Sequence, residues 1–144
     1  MNAIAPYDQD NIFARILRGE LPCVKVCEDD ATLVIMDIMP QSRGHSLIIS
    51  KEAAVTLFDL SPGSAADCMR MTQRIAIAAR AAFAADGVTI MQFNGSAAGQ
   101  SVPHVHFHVV PRRAGEAMAR HATQMADPGQ LEALAMQLRA ALTQ

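Results

Sequence analysis

Apolar and polar residues alternate along several segments of this chain, and this alternation predicts β-strands. The clearest case covers residues 102–111, VPHVHFHVVP, and a second covers residues 88–94, VTIMQFN. Residues 23–37, CVKVCEDDATLVIMD, divide into two strands around an acidic turn at residues 28–30. Another strand runs through residues 47–49, LII, after a turn. Together these segments predict about five strands.

Apolar residues at three- and four-residue steps predict three helices. The short first helix lies within residues 10–22, and Asp8 or Asp10 is its expected N-cap. The longest helix is expected to begin after Ser61 and to end near Gly87. A third helix is expected in the tail, where leucines form one stripe at Leu131, Leu134, Leu138 and Leu142.

The order of these elements predicts the fold class. Strands outnumber helices and mostly adjoin through short turns, which is typical of an antiparallel sheet with helices packed against it. We therefore expect an α+β fold with about five antiparallel strands, one long helix, one short helix and a C-terminal helix. The chain has 144 residues without an internal repeat or a linker-like segment, so we expect a single domain over residues 1–144.

Composition and charge exclude some classes of function. The chain is 51% hydrophobic with a mean hydropathy of +0.15 and a net charge of −2, so it should fold but lacks the basic surface that nucleic-acid binding needs. A small anion is still compatible with this charge, because a few backbone N–H groups can bind one. We expect no nucleic-acid partner.

Cysteine use and the amino-terminal residues indicate a compartment. Three cysteines in no framework spacing are typical of free thiols in a reducing environment. The first residues lack the charged and apolar regions of a secretory signal, and no apolar run reaches the length of a membrane span. We expect a soluble cytoplasmic protein without membrane association.

The strand at residues 102–111 carries three histidines in one row. Side chains alternate between the faces of a strand, so His104, His106 and His108 should project to the same side, about 7 Å apart per two-residue step. The apolar residues between them should enter the core. Two chemical interpretations fit this row: two imidazoles could bind one zinc ion, or one imidazole could attack an electrophile while its neighbours handle protons and charge.

The loop before the histidines favours the second interpretation. Residues 94–101, NGSAAGQS, offer amide and hydroxyl side chains between small residues, whose backbone can approach an anion closely. A phosphate-sized nest beside three imidazoles suggests attack on phosphorus. Metal binding stays open as the alternative.

These residues resemble a known family. The segment GQSVPHVHFHVVPR, residues 99–112, resembles the signature of the histidine triad (HIT) superfamily. Upstream, NIFARILRGELP, EDDATLVIMDIMPQSRGHSLIIS and NGSAAGQS resemble, in this order, segments of its bacterial, nucleoside-phosphoramidase-like (Hint-type) branch. The similarity covers about residues 10–112, whereas the tail at 113–144 matches the signature poorly.

The resemblance implies roles for four histidines. His106 would attack the α-phosphorus of a nucleotide and form a covalent nucleotidyl-histidine, which water then hydrolyses. His108 would contact the bridging atom and protonate the leaving group. His104 and His45 would orient and tune the nucleophile.

The resemblance also implies residues that hold the nucleotide. Asp37 would accept hydrogen bonds from the ribose hydroxyls. The phosphate oxygens or the leaving group would be held by Asn94, Gly99, Gln100 and Ser101. The base would lie among the apolar side chains of Ile12, Phe13, Leu21, Ile35 and Ile38.

The expected substrates are purine nucleoside monophosphate derivatives of AMP or GMP, above all phosphoramidates. Transferase relatives carry glutamine where this chain has His108, so hydrolysis is expected rather than nucleotidyl transfer. Many bacterial relatives have a Cys-x-x-Cys zinc pair where this chain reads NIFA at residues 11–14, so we expect neither a metal nor another cofactor. A homodimer is expected.

Two alternative functions stay open. They are a dinucleoside polyphosphate hydrolase and a nucleotide-binding regulatory protein with incidental catalysis.

Overall fold

The computed structural model describes residues 5–120 and 123–143. One open antiparallel sheet holds five strands, in the spatial order β1-β2-β3-β5-β4. The strands are β1 Lys25–Glu28, β2 Thr32–Met36, β3 Ser46–Ser50, β4 Gly87–Met91 and β5 His106–Arg112. The helices are α1 Ile12–Leu17, α2 Pro62–Ala82 and α3 Pro128–Leu142. The expected α+β class and its element count are confirmed.

The two faces of the sheet bury different residues. Helices α2 and α3 cover one face, where Ile75 and Leu138 are fully buried. The residues between the histidines join this core, as alternation predicts: Val105, Phe107 and Val109. On the other face α1 packs over a smaller apolar cluster, which consists of Phe13, Leu33, Ile35, Leu47 and Ile49. The imidazoles therefore lie on the α1 side of the sheet.

Two predicted helix ends are wrong. The N-cap of α1 is Asn11, whose Oδ1 accepts the N–H of Ala14 at 2.9 Å, rather than Asp8 or Asp10. Asp8 instead accepts the N–H of Asp10 within the preceding turn. Helix α2 ends at Ala82, well before Gly87, because Gly87 begins β4 and pairs with β5.

The predicted start of the last strand is also wrong. Strand β5 begins at His106, so His104 lies outside the regular ladder. The N–H of His104 donates to the carbonyl of Val102 in a tight turn, and the N–H of Val105 donates to Ala54. Pro103 has no N–H to offer a ladder, which fits a chain that enters the sheet only after it.

The pairing of β5 determines the position of a distant histidine. Strand β5 is an inner strand between β3 and β4, and its Val109 pairs with Ser46 at the start of β3. His45 immediately precedes Ser46 and therefore lies beside His108, although 63 positions separate the two histidines. Among the described residues, no helix has the length and apolar character to cross a membrane.

We predict that Gly44→Ala destabilises the fold. Gly44 has φ +92°, and an added Cβ would lie 2.5 Å from the ring of Phe83. Strain and overpacking should together lower the free energy of unfolding by about 1–3 kcal/mol, measured by urea denaturation.

Gly63→Ala is the matched control for this change. An added Cβ at Gly63 would meet no atom within 4 Å among the described residues, and alanine is the better residue in a helix. Its unfolding midpoint should be unchanged or higher. Equal midpoints for both variants would contradict the steric argument.

Candidate active site

A cavity of about 350 Å³ lies on the α1 side of the sheet. Its wall is mostly apolar, with polar groups at one end. It includes many of the predicted site residues: Ile12, Phe13, Leu21, Ile35, Asp37, Ile38, Ser101, His106 and His108. Sequence reasoning missed other lining residues, among them Pro22, Cys23, Met39 and Val102, because no periodicity or motif distinguishes them.

The position of the proton on His106 follows from its backbone partner. Its Nδ1 lies 2.6 Å from the carbonyl oxygen of His104. A carbonyl can only accept, so Nδ1 carries the proton and the neutral ring has its lone pair on Nε2. The ring of Phe13 packs edge-on against this imidazole, with centroids 4.8 Å apart. His106 is thus oriented as a nucleophile that can attack through Nε2.

A hydrogen-bonded relay determines the protonation of His108. The backbone N–H of Gln41 donates to Nδ1 of His45 at 3.0 Å, so a neutral His45 carries its proton on Nε2. This Nε2 lies 2.9 Å from Nδ1 of His108 and 3.4 Å from Oδ2 of Asp37. Nδ1 of His108 therefore accepts, and the proton of neutral His108 is on Nε2. His108 is oriented to donate a proton or a hydrogen bond.

Asp37 is held at the end of β2 by backbone bonds. Its Oδ1 accepts the N–H of Met39 at 2.8 Å, and its own N–H donates to the carbonyl of His45 at 3.0 Å. The residue is only 8% exposed, yet it lines the cavity. A buried carboxylate in this position can accept further hydrogen bonds from a polar ligand.

His104 is fully buried and does not line the cavity. Its Nε2 donates to the carbonyl of Ser50 at 2.7 Å, and its Nδ1 lies 2.6 Å from the hydroxyl of Tyr7. Burial lowers the pKa of His104 below the usual 6.5, while the bond to Ser50 partly opposes this shift. His104 therefore stays neutral at neutral pH and acts on His106 through its carbonyl. Tyr7 lay outside every motif in the sequence.

The loop at residues 94–101 uses its amide side chains to hold itself in place. Gln100 accepts the N–H of Gly95 through Oε1 and donates to two backbone carbonyls through Nε2. Asn94 accepts the backbone N–H of Leu57 at 2.7 Å. Both residues line a neighbouring hollow of about 630 Å³, which Ser101 also borders, and Gly99 lines neither space. Phosphate contacts by Asn94, Gly99 and Gln100 stay predictions.

The donor arrangement favours proton transfer over metal binding. Ligand atoms of Asp37, His45 and His108 all lie within 4.8 Å of one another. A metal ion, however, needs the lone pair of His45 Nε2, and the bond from Gln41 places a proton on that atom. His104 could share an ion with His106 only if it broke its bond to Ser50 or to Tyr7. A metal ion held by either of these two sets thus conflicts with the hydrogen bonds present.

We predict that His104 makes stability depend on pH. Because its pKa is below 6.5 in the folded chain, the unfolded chain binds more protons as the pH falls through 6.5. The free energy of unfolding should then decrease, by at most about 1.4 kcal/mol per pH unit for one group, and this loss ends below the folded-state pKa. Urea denaturation midpoints measured at pH values above and below 6.5 test this dependence. His104→Asn has no titratable group at this position, so its free energy of unfolding should decrease less than that of the wild type over the same pH range. An equal decrease in both proteins would contradict the assignment.

Comparisons with known proteins show the family of this chain. The family model of the HIT domain matches residues 18–115. An uncharacterized HIT-like protein of Mycobacterium tuberculosis is 42% identical over 135 residues, which is 92% of this chain and 93% of the relative. The adenosine 5′-monophosphoramidase of Schizosaccharomyces pombe is 39% identical over 101 residues, 70% of this chain and 73% of that protein.

A solved structure extends the similarity to the fold. The crystal structure of a HIT-like protein from Bartonella henselae superposes with a TM-score of 0.88 at 42% identity, over 94% of this chain and 98% of that one. The name of the Schizosaccharomyces pombe relative, a phosphoramidase, supports hydrolase activity for this chain. The chain belongs to the HIT family.

Proposed function

We propose that this protein is a nucleotide hydrolase that cleaves purine nucleoside monophosphate derivatives, above all phosphoramidates, at the α-phosphorus. The observation that carries the proposal is the pair of opposite tautomers on β5. His106 has its proton on Nδ1 and its lone pair on Nε2, whereas neutral His108 has its proton on Nε2. A nucleophile and a proton donor thus lie on one cavity wall, with ring centroids 5.0 Å apart.

The proposed first step forms a bond between His106 Nε2 and phosphorus while the bond from phosphorus to nitrogen breaks. The negative phosphate favours uptake of one proton by the Asp37–His45–His108 group. This proton leaves through His108 Nε2 to the departing nitrogen, which is released as a neutral amine. The His104 carbonyl stabilises the positive charge that develops on the His106 ring.

In the proposed second step, water attacks phosphorus and the bond to His106 breaks. The proton of this water returns to the Asp37–His45–His108 group, which releases it to solvent when the negative product leaves, so the site ends the turnover as it began. The product is the nucleoside monophosphate. No metal ion or other cofactor takes part in this scheme.

The cavity supports a nucleoside as the ligand. Its volume of about 350 Å³ is in the usual range for small-molecule sites, and its wall is mostly apolar, as a base requires. Asp37 lies on the wall and would accept the ribose hydroxyls. The name of the Schizosaccharomyces pombe relative supports an adenosine phosphoramidate among the substrates. The cavity wall itself favours neither adenine nor guanine.

The neighbouring hollow favours a second candidate, hydrolysis of dinucleoside polyphosphates. Ser101 borders both spaces, so a larger leaving group could extend past it into about 630 Å³. The same histidines would act in both reactions, and only the leaving group would differ. If the wild type hydrolyses a diadenosine polyphosphate faster than adenosine 5′-phosphoramidate, this second candidate is favoured.

Adenosine 5′-phosphoramidate should be hydrolysed by the wild type, and a rapid quench should trap a nucleotide on His106, identified by mass spectrometry. His106→Ala removes the nucleophile and should lower kcat by at least about 10³-fold. The control is Arg70→Ala, because this exposed side chain of α2 pairs with Asp67 and does not line the cavity. Turnover without an adduct, or an adduct on another residue, would refute the covalent step.

We also propose that the protein forms a homodimer through β4 and α2. Strand β4 is an edge strand whose Ile90 is 46% exposed, and Ile77 of α2 is 67% exposed. Edge strands with apolar side chains readily pair with another chain. Light scattering at micromolar concentration should give twice the chain mass, and Ile90→Lys should shift the mass towards the monomer. A monomer mass for the wild type would refute the proposal.

A further inference from the structure

We infer that Tyr7 is a positioning residue for the nucleophile: its hydroxyl holds His104, and the His104 carbonyl holds His106. The consequence for turnover rests on the proposed function, whereas the hydrogen-bond chain does not. Tyr7 lies outside the segment that matches the HIT domain, which begins at residue 18. It is also the only tyrosine of the chain.

The direction of each bond around His104 follows from one carbonyl. The oxygen of Ser50 lies 2.7 Å from His104 Nε2 and can only accept, so Nε2 carries the proton. The other ring nitrogen, Nδ1, must then accept, and the Tyr7 hydroxyl at 2.6 Å is its donor. Both nitrogens of this fully buried ring are thereby used. The ring has one orientation and one tautomer that satisfy both bonds.

The position of His104 in the chain makes these side-chain bonds important. His104 precedes β5, so no regular ladder holds its backbone, and its N–H bonds within a tight turn to Val102. The bonds to Ser50 and Tyr7 therefore supply part of the restraint that a ladder would give. The carbonyl so restrained is the acceptor for His106 Nδ1 at 2.6 Å.

Ring packing links the two imidazoles a second time. Phe13 lies edge-on to His104 at 6.3 Å between centroids and to His106 at 4.8 Å. Tyr7 also lies edge-on to His104, at 5.6 Å. A rotation of the His104 ring would therefore disturb both the carbonyl and the aromatic contact that orient His106.

Replacement of the hydroxyl alone separates its hydrogen bond from ring packing. In Tyr7→Phe the aromatic ring stays, but buried Nδ1 of His104 loses its donor. An unsatisfied buried acceptor is unfavourable, so His104 should leave its single orientation. Tyr7 does not line the cavity that would bind the nucleotide. The defect should therefore affect the attack and not substrate binding.

The kinetic test is hydrolysis of adenosine 5′-phosphoramidate by Tyr7→Phe. We expect kcat to fall about tenfold, with KM within about twofold of the wild type, because the nucleophile is misaligned while the cavity is unchanged. Asp8→Ala is the matched control, since it perturbs the same segment through an exposed side chain that bonds only locally. It should keep the wild-type kcat. An unchanged kcat in Tyr7→Phe, or an equal loss in Asp8→Ala, would overturn the inference.

A spectroscopic test does not depend on activity. In ¹⁵N spectra of the imidazoles, wild-type His106 should show the Nδ1–H tautomer alone, and Tyr7→Phe should show a mixture with Nε2–H. An unchanged tautomer would overturn the inference even if the wild type hydrolyses nothing. If the tautomer changes in Tyr7→Phe but the wild type hydrolyses nothing, the proposed function is refuted and the hydrogen-bond chain is intact.

A third experiment covers the case in which Tyr7→Phe does not fold. Fluorotyrosine incorporated during expression labels Tyr7 alone, since the chain has one tyrosine. The more acidic phenol donates more strongly, so the ¹⁵N resonance of His104 Nδ1 should move. An unchanged His104 resonance would show that no such bond exists and would overturn the inference.

Discussion

The hydrogen bond from His106 Nδ1 to the carbonyl of His104 is the interaction on which the chemistry of this site depends. It determines which nitrogen carries a lone pair, and a nucleophilic mechanism requires that nitrogen to be Nε2. The bond joins residues two positions apart. Its geometry nevertheless depends on more distant parts of the chain, because His104 is held by Ser50 and Tyr7.

The three histidines of the row have different surroundings. His104 is enclosed and bonded at both nitrogens, so it serves as a support. His106 is bonded to a carbonyl and lines the cavity. His108 belongs to a relay that begins at a backbone N–H and passes through His45. In the proposed mechanism, one residue type thus supplies a support, a nucleophile and a proton donor.

The alternation of apolar and polar residues predicted the strands well, because it shows which side chains of a strand must be buried. Pairing with the neighbouring strands does not change that choice. Valine and phenylalanine between the histidines had to enter a core, and they do. Element ends were predicted less well because local competition decides them. Asn11 caps α1 although aspartates precede it, since Asp8 is engaged in its own turn. Gly87 belongs to β4 because pairing with β5 outweighs its suitability as a helix end.

The sequence by itself determined that His106 and His108 lie on one face of a sheet after a small-residue loop, and that the apolar residues between the histidines fill the core. These properties follow from a two-residue period and from side-chain size, both of which are local. Only the tertiary structure decided where each proton is. A ring's tautomer depends on the partner at its other nitrogen. Tyr7 and Ser50 reach His104, and His45 reaches His108, from distant parts of the chain.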